Sequence, residues 1–138
     1  MILKNCMYRM NDMYYMHRTL LAAVALAFSS VTASAETITV CASGCDYTSI
    51  QDAIDAAVSG DQLEVGPGTF PERLTVSGKT LEILSVAGKG QTTTIDAEDS
   101  GRLLYLSGSD VTLTLRGLVL VNGTASAGGG IYASQANL

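Results

Sequence analysis

Apolar residues recur at helical spacing between residues 48 and 60. They are Ile50, Ala53, Ile54, Ala57 and Val58, at positions i, i+3, i+4, i+7 and i+8. This spacing predicts an amphipathic helix with a single apolar stripe. Thr48 and Gln51 fit a capping box, which begins the helix at about Thr48, and Gly60 stands where a left-handed C-cap residue belongs. We therefore expect one side of this helix to pack on an apolar surface and the other side to face solvent.

Short segments in which apolar and polar residues alternate lie on both sides of this helix. One is TITV, between Glu36 and Cys41, and the others follow the helix. The alternating apolar residues after the helix are Leu63, Val65, Leu74, Val76, Leu81, Ile83, Leu104, Leu106, Val111, Leu113 and Leu115. Glycines, including the Gly-Pro-Gly that begins at Gly66, separate these segments. The pattern predicts short strands with one buried face.

The strand pattern also contains an internal repeat. LTVSGKTLEIL, from Leu74, is similar to LYLSGSDVTLTL, from Leu104, with an offset of thirty and one inserted residue. Self-similarity of this kind is typical of stacked repeats. A β-sandwich and a small barrel also use short strands at this spacing. A leading helix followed only by strands favours a solenoid with a capping helix over both alternatives.

Four segments in order resemble a known family. They are SIQDAIDAA from Ser49, GDQLEVGPGTFPE from Gly60, TTTIDA from Thr92 and GLVLVNGTASAGGGIY from Gly117. Together they resemble the N-terminal part of the right-handed parallel β-helix proteins of the pectin lyase-like superfamily. The resemblance implies an all-β fold, a right-handed parallel β-helix with three short strands per coil, whose N-terminal end is capped by the amphipathic helix.

The resemblance leaves function open, because the superfamily includes pectin and pectate lyases, pectin methylesterases, polygalacturonases, phage tailspikes and bacterial surface proteins. None of the catalytic residues of its enzyme families aligns with a position of this chain. We therefore expect an exported β-helix scaffold or surface segment that contacts polysaccharide and has no catalytic set. The alternative is the N-terminal fragment of a polysaccharide-active enzyme of the pectate or pectin lyase or pectin methylesterase type. Since no C-terminal cap follows GGGIYASQANL, we also expect a truncated β-helix.

The N-terminal residues have the parts of a secretory signal. Residues 16–35 contain a basic start at His17 and Arg18, an apolar run of about ten residues, and an Ala-Ser-Ala cleavage site ending at Ala35. The run is too short to span a bilayer of about 30 Å, so no membrane span is expected after signal cleavage. We assign residues 1–35 to a leader and signal peptide, with Met16 as a candidate start, and residues 36–138 to the β-helix domain. The expected location is periplasmic, extracellular or at the cell surface.

Charge and composition narrow the partners of residues 36–138. This segment has five Lys and Arg against twelve Asp and Glu, a net charge of −7, and contains no histidine. Its acidity argues against nucleic acid, anionic membranes and unassisted binding of a polyanionic sugar. The lack of histidine excludes Ser-His-Asp, Cys-His and His-ligated metal chemistry from these residues. Only four aromatic residues remain, Tyr47, Phe70, Tyr105 and Tyr132, so little stacking against sugar rings is expected.

Two cysteines in CASGC, Cys41 and Cys45, are a disulfide candidate. Export leads to an oxidising compartment, and the Ser-Gly between them can form the turn that brings the pair together. Two free thiols and a metal site are the alternatives. A bridge that closes so short a loop contributes little through chain entropy.

The remaining candidates are charged residues and turn residues. Asp96, Glu98 and Asp99 form the densest acidic cluster and are weak candidates for calcium ligands, with a solvated turn as the alternative. No other cofactor is expected. Arg102 and Arg116 fit either clamps for substrate carboxylates or exposed residues that offset nearby acids. Asn122-Gly123-Thr124 matches a glycosylation acceptor, but a turn with positive φ is the preferred interpretation.

Overall fold

The computed structural model describes residues 34–135, which form one short helix and ten short strands. The elements are β1 (Thr37–Val40), α1 (Ile50–Ala56), β2 (Gln62–Val65), β3 (Gly68–Phe70), β4 (Leu74–Ser77), β5 (Thr80–Ser85), β6 (Thr93–Asp96), β7 (Leu104–Ser107), β8 (Thr112–Arg116), β9 (Leu118–Val121) and β10 (Ile131–Ser134). The predicted leader and signal peptide covers residues 1–35. All of it except Ser34 and Ala35 lies outside the described residues. No helix in residues 34–135 combines the length and the apolar character needed to cross a membrane.

The strands form three parallel sheets, and from β2 onward successive strands along the chain belong to each sheet in turn. The sheet orders are β1-β2-β5-β8, β3-β6-β9 and β4-β7-β10, and every strand pair is parallel. From β2 onward each strand therefore pairs with the strand three places later. We call β2–β4, β5–β7 and β8–β10 the first, second and third triplets. The described residues are mostly β with one short helix, which is compatible with the predicted all-β fold and with a β-helix-like solenoid.

Strand pairing confirms the internal repeat and corrects its length. Leu74 pairs with Leu104, an offset of thirty, whereas Thr80 pairs with Thr112, an offset of 32. Two residues are therefore inserted between the repeated strands, not one. A single insertion would have placed Leu81 opposite Thr112 and turned an apolar side chain to the wrong face, because register slips by one residue exchange the two faces of a strand.

The alternating apolar residues form the core as predicted. Leu63, Val65, Leu74, Val76, Leu81 and Ile83 are all buried. Two polar residues, Asp61 and Thr93, are also buried, and Thr93 is fully so. Its hydroxyl donates to the carbonyl of Gly66 at 2.8 Å and lies 2.7 Å from the hydroxyl of Ser85. These hydrogen bonds satisfy a group whose burial would otherwise be costly.

Helix α1 is shorter than its pattern suggests, and three predictions about it are wrong. Its N-cap is Ser49, whose hydroxyl accepts from the amide of Asp52 at 3.2 Å, so the capping box at Thr48 and Gln51 does not form. Gly60 has positive φ but is not the C-cap, because α1 ends at Ala56 and its C-cap is Ala57, three residues before Gly60. Val58, beyond the last turn, is 52% exposed. The rest of the stripe is buried against the strands.

Both ends of α1 are held by residues that flank β4. The carboxylate of Glu72 accepts hydrogen bonds from the hydroxyl of Ser49 and from the first amides of α1. The ammonium of Lys79 donates to the carbonyls of Ile54 and Ala57 at 2.9 and 2.8 Å. A negative charge thus lies at the N-terminus and a positive charge at the C-terminus, the arrangement that complements the helix dipole. The helix therefore runs beside β4 in the same direction.

The side chain of Gln51 covers the edge of β4. Its amide group accepts from the nitrogen of Thr75 at 2.8 Å and donates to the carbonyl of Thr75 at 3.2 Å. These are the two hydrogen bonds that a neighbouring strand would make. Since β4 is the edge strand of its sheet, the contact protects backbone groups that would otherwise be open to pairing.

Candidate functional site

A groove of about 820 Å³ runs along the outer side of the β4-β7-β10 sheet, and we call it the outer groove. It is lined by Ser49, Gln51, Pro71, Glu72, Arg73, Leu74, Thr75, Asp96, Ala97, Glu98, Ser100, Gly101, Arg102, Tyr105, Thr124 and Ala125. These residues come from α1, from β4 and β7, and from the loops that lead into the sheet. The volume lies within the range of about 300–1,000 Å³ that is typical of ligand sites.

Two tyrosines on adjacent strands stack beside this groove. Tyr105 of β7 pairs in register with Tyr132 of β10. Their ring centroids are 5.7 Å apart and the ring planes differ by 8°. This is an offset stack, so part of each ring face stays uncovered by the other ring. Both tyrosine side chains are half-buried. The neighbours of Tyr105, Leu104 and Leu106, are buried, whereas Ile131 beside Tyr132 is exposed.

The guanidinium of Arg102 completes this cluster. It lies 4.3 Å from the centroid of the Tyr132 ring, a cation-π distance, and its Nε donates to the carbonyl of Ala127 at 3.2 Å. Arg73 lies on the same groove and donates from Nη1 to the carbonyl of Ser100 at 3.0 Å. Each arginine uses one N–H group in these bonds, and a guanidinium has five. The two side chains therefore have donors left for a ligand in the groove.

Arg116, the other arginine singled out in the sequence, lies elsewhere. Its Nε pairs with the carboxylate of Glu82 at 2.8 Å on the β1-β2-β5-β8 sheet. The side chain of Arg116 is largely exposed, so the pair contributes under about 1 kcal/mol to stability. The structure thus separates the two arginines predicted as clamps: Arg102 lies at the outer groove and Arg116 does not.

The acidic cluster forms a hydrogen-bonded turn. Oδ1 of Asp96 accepts from the amide of Glu98 and from Nδ2 of Asn122, both at 2.8 Å. Glu98 and Asp99 have φ of 50° and 54°, and the amide of Asp99 donates to the carbonyl of Asn122. Within residues 34–135, no three His, Cys, Asp or Glu side chains converge closely enough to hold a metal ion. The three calcium candidates are therefore not brought together as a ligand set.

The segment that matches a glycosylation acceptor lies in the loop between β9 and β10. Asn122 has φ of 56°, the positive value that the turn interpretation requires. A Cβ on Gly123 would collide with the carbonyl oxygen of Gly129, because the two glycines pack backbone against backbone. The hydroxyl of Thr124 donates to the carbonyl of Asp99 at 2.9 Å. These contacts shape the loop that leads into β10 and so position Tyr132.

Cys41 and Cys45 are joined in a disulfide, with their Cα atoms 5.6 Å apart. Next to the bridge, the carboxylate of Asp46 accepts from the hydroxyl of Thr39 at 2.6 Å and from its amide at 2.9 Å. The hydroxyl bond, and then the amide bond, lower the pKa of Asp46 from its ordinary value. The bridge and Asp46 fasten the loop between β1 and α1 to β1, on a different sheet from the outer groove.

The tyrosine pair was missed in the sequence, where four scattered aromatic residues indicated little capacity for stacking. Its signal was present in the repeat: Leu-Tyr-Leu at Leu104 and Ile-Tyr-Ala at Ile131 carry tyrosine at the same outward position. Comparing the third triplet with the second would have found the pair. No protein-family model, curated protein or solved structure matches the chain significantly.

Proposed function

We propose that this chain is the N-terminal part of an exported, right-handed parallel β-helix protein of the pectin lyase-like type, whose outer groove binds polysaccharide without acting on it. The stacking of Tyr105 on Tyr132 beside the groove carries this proposal. The half-buried tyrosine rings leave part of their apolar surface accessible to a sugar ring, and neighbouring polar groups orient its hydroxyls. Arg102 and Arg73 supply such donors.

The groove also suits an extended ligand. Its lining spans the loops before β4, β7 and β10, so it crosses all three triplets. Tyrosines one strand apart, about 4.8 Å, repeat along the same direction. A chain of sugars can therefore contact several strands at once, whereas a single small molecule would use only part of the lining. This supports a polymer as the ligand class.

Glycan binding with variants of the tyrosine pair tests the proposal. Neutral and uronic-acid oligosaccharides are titrated into the protein by calorimetry. Replacing Tyr105 and Tyr132 together with alanine should weaken binding at least about tenfold, which corresponds to about 1.4 kcal/mol. Thr112→Ala, at an exposed position of the β1-β2-β5-β8 sheet, is the matched control and should bind normally. Unchanged affinity in the double variant would contradict the proposal.

The alternative, a fragment of a polysaccharide lyase or esterase, has one observation in its favour. Arg73 and Arg102 line the same groove as the carboxylates of Glu72, Asp96 and Glu98. Two of these carboxylates are engaged in structural hydrogen bonds, Glu72 at α1 and Asp96 in its turn. Assays for unsaturated or de-esterified products from pectin distinguish the two proposals. If the wild type forms such products and Arg102→Ala does not, the enzymatic proposal replaces the binding proposal.

Export is a separate part of the proposal with its own test. N-terminal sequencing of the periplasmic or secreted protein should begin at Glu36, with the sequence ETITV. That N-terminus is the one expected from cleavage after Ala35, which the Ala-Ser-Ala motif predicts. Material in the membrane fraction that retains residues 16–35 would contradict it.

A further inference from the structure

The carboxylate of Asp61 is buried and accepts one hydrogen bond on each of its oxygens. Asp61 is 4% exposed. Its Oδ1 accepts from the backbone amide of Glu36 at 2.9 Å, and its Oδ2 accepts from the amide of Val58 at 2.8 Å. Both donors are uncharged. Because a buried carboxylate is costly unless it is hydrogen-bonded and paired with a positive charge, these two contacts compensate its burial only in part.

No cationic side chain pairs with Asp61 in the part of the chain that the structure describes. The ion pair within residues 34–135 joins Arg116 to Glu82, and Lys79 donates to two carbonyls at the C-terminal end of α1. The surroundings of Asp61 are instead acidic, since Glu36, Asp61 and Glu82 line one hollow of about 310 Å³. A positive charge at the nitrogen that contacts Oδ1 would therefore be favoured by its surroundings.

Backbone pairing fixes the nitrogen of Glu36 beside Asp61. The carbonyl of Glu36 accepts from the amide of Gln62 at 2.9 Å, and the next residue, Thr37, pairs in register with Gln62 where β1 meets β2. Asp61 immediately precedes β2, and its carbonyl accepts from the amide of Glu82 at 3.2 Å. None of these contacts uses a residue before Glu36. The nitrogen therefore stays within reach of Oδ1 when the preceding residues are removed.

Glu36 is also the residue that signal cleavage would turn into the N-terminus. Water adds across the peptide bond between Ala35 and Glu36, so that Ala35 leaves as a carboxylate and the nitrogen of Glu36 becomes an α-amine. This amine is protonated at neutral pH. The group that contacts Oδ1 of Asp61 thus changes from a neutral amide to an ammonium group.

We propose that Asp61 is the binding site for the α-ammonium group of Glu36, so that the processed chain gains a buried ion pair that the uncut chain lacks. The inference rests on the proposed export, whose cleavage site after Ala35 it uses. Hydrogen bonds between charged groups are roughly twice as strong as those between neutral groups. Removal of the signal peptide therefore stabilises the fold at the start of β1.

Cutting the complete chain at two positions tests the proposal. A recognition sequence for a specific protease is placed directly before Glu36 in one version and directly before Ser34 in a matched control. After cutting, the first version carries its α-ammonium group at Asp61, and the control carries it two residues away. Denaturant titration should give an unfolding equilibrium constant at least about fivefold smaller for the first version. Equal constants for the two cut proteins would overturn the proposal.

Asp61→Asn identifies the carboxylate as the partner. In this background the two cut versions should have equal unfolding constants, because a neutral amide cannot form an ion pair with the ammonium group. Asp110→Asn removes a charge at an exposed residue and should keep the difference between the two versions. A difference of the original size in Asp61→Asn would show that the ammonium group does not bind Asp61.

Amine labelling covers the case in which Asp61→Asn does not fold. At neutral pH, the α-amine of the protein cut before Glu36 should react with an acylating reagent severalfold more slowly than that of the protein cut before Ser34. The exposed Lys89 should react at the same rate in both. Equal α-amine rates would also refute the ion pair. Because both cuts are made in the purified protein, these results do not depend on export, which N-terminal sequencing of the secreted protein decides separately.

Discussion

The carboxylate of Glu72 accepts a hydrogen bond from the backbone amide of Gln51 at 2.9 Å. Glu72 ends the segment GDQLEVGPGTFPE, and Gln51 belongs to SIQDAIDAA, so this bond joins two of the four segments on which the family resemblance rests. The glutamate replaces the intrahelical partners that the first amides of α1 lack. The two segments are thus parts of one contact, which seats the helix beside β4.

The seating of α1 leads to a prediction about stability. Ile54 is 1% exposed and faces the interior, while Asp55 is exposed on the opposite side. Ile54→Asp would place an unpaired charge in the core, which costs several kcal/mol of the roughly 5–15 kcal/mol that a small domain has. We expect this variant to be unfolded or insoluble and Asp55→Ala to fold normally, as measured by thermal unfolding. Equal midpoints for the two variants would mean that α1 does not cover the strands.

The packing of Gly123 against Gly129 gives a prediction with a close control. In Gly123→Ala, the added methyl group would meet the carbonyl of Gly129, so the loop before β10 must shift. Overpacking of this kind costs about 1–3 kcal/mol, and it should lower the thermal midpoint. Gly130→Ala should have little effect, since nothing lies within 4 Å of its Cβ position. If both substitutions are tolerated equally, the backbone contact is not tight.

The lowered pKa of Asp46 predicts how stability depends on pH. A carboxyl whose pKa is depressed in the folded state contributes stability at pH above its unfolded value, which is lost as pH falls through the folded value. Denaturant unfolding of the wild type should therefore show a loss of stability as the pH falls below about 4, and this loss should be smaller in Asp46→Asn. Thr39→Val removes the hydroxyl donor and should move the Asp46 titration, followed by NMR, to higher pH. Identical acid profiles for wild type and Asp46→Asn would contradict this account.

The Cys41–Cys45 bridge predicts the redox state of the two cysteines in the purified protein. Its mass without reductant should be lower than that of the reduced protein by two hydrogen atoms, and neither thiol should react with an alkylating reagent. Because the closed loop is very short, reduction should lower the thermal midpoint only slightly. Complete alkylation of both cysteines without reductant would refute the bridge.

The strand pattern and the helix stripe were readable from the sequence because each depends on local spacing. Alternation placed Leu63, Val65, Leu81 and Ile83 in the interior, where the structure has them. Strands such as β3, which has three residues, are too short to produce a clear period and were found only through pairing with β6. The exact ends of α1 could not be predicted from the apolar pattern. Glu72 and Lys79, which hydrogen-bond to those ends, lie more than twenty residues further along the chain.

The sequence by itself therefore determined most of the buried apolar residues, the helix α1 and a repeat of about thirty residues, since apolar burial and helix or strand periodicity are local properties. Val58, which the helix stripe included, is exposed, and Leu115 is only partly buried. Only the tertiary structure decided what the repeat brings together. Tyr105 and Tyr132 are 27 positions apart and stack because parallel pairing places them in register. Likewise, only the tertiary structure shows that Arg102 lies at the outer groove and that Arg116 lies on another sheet. Neighbours across strands depend on the register and on the lengths of the intervening loops, which no local pattern encodes.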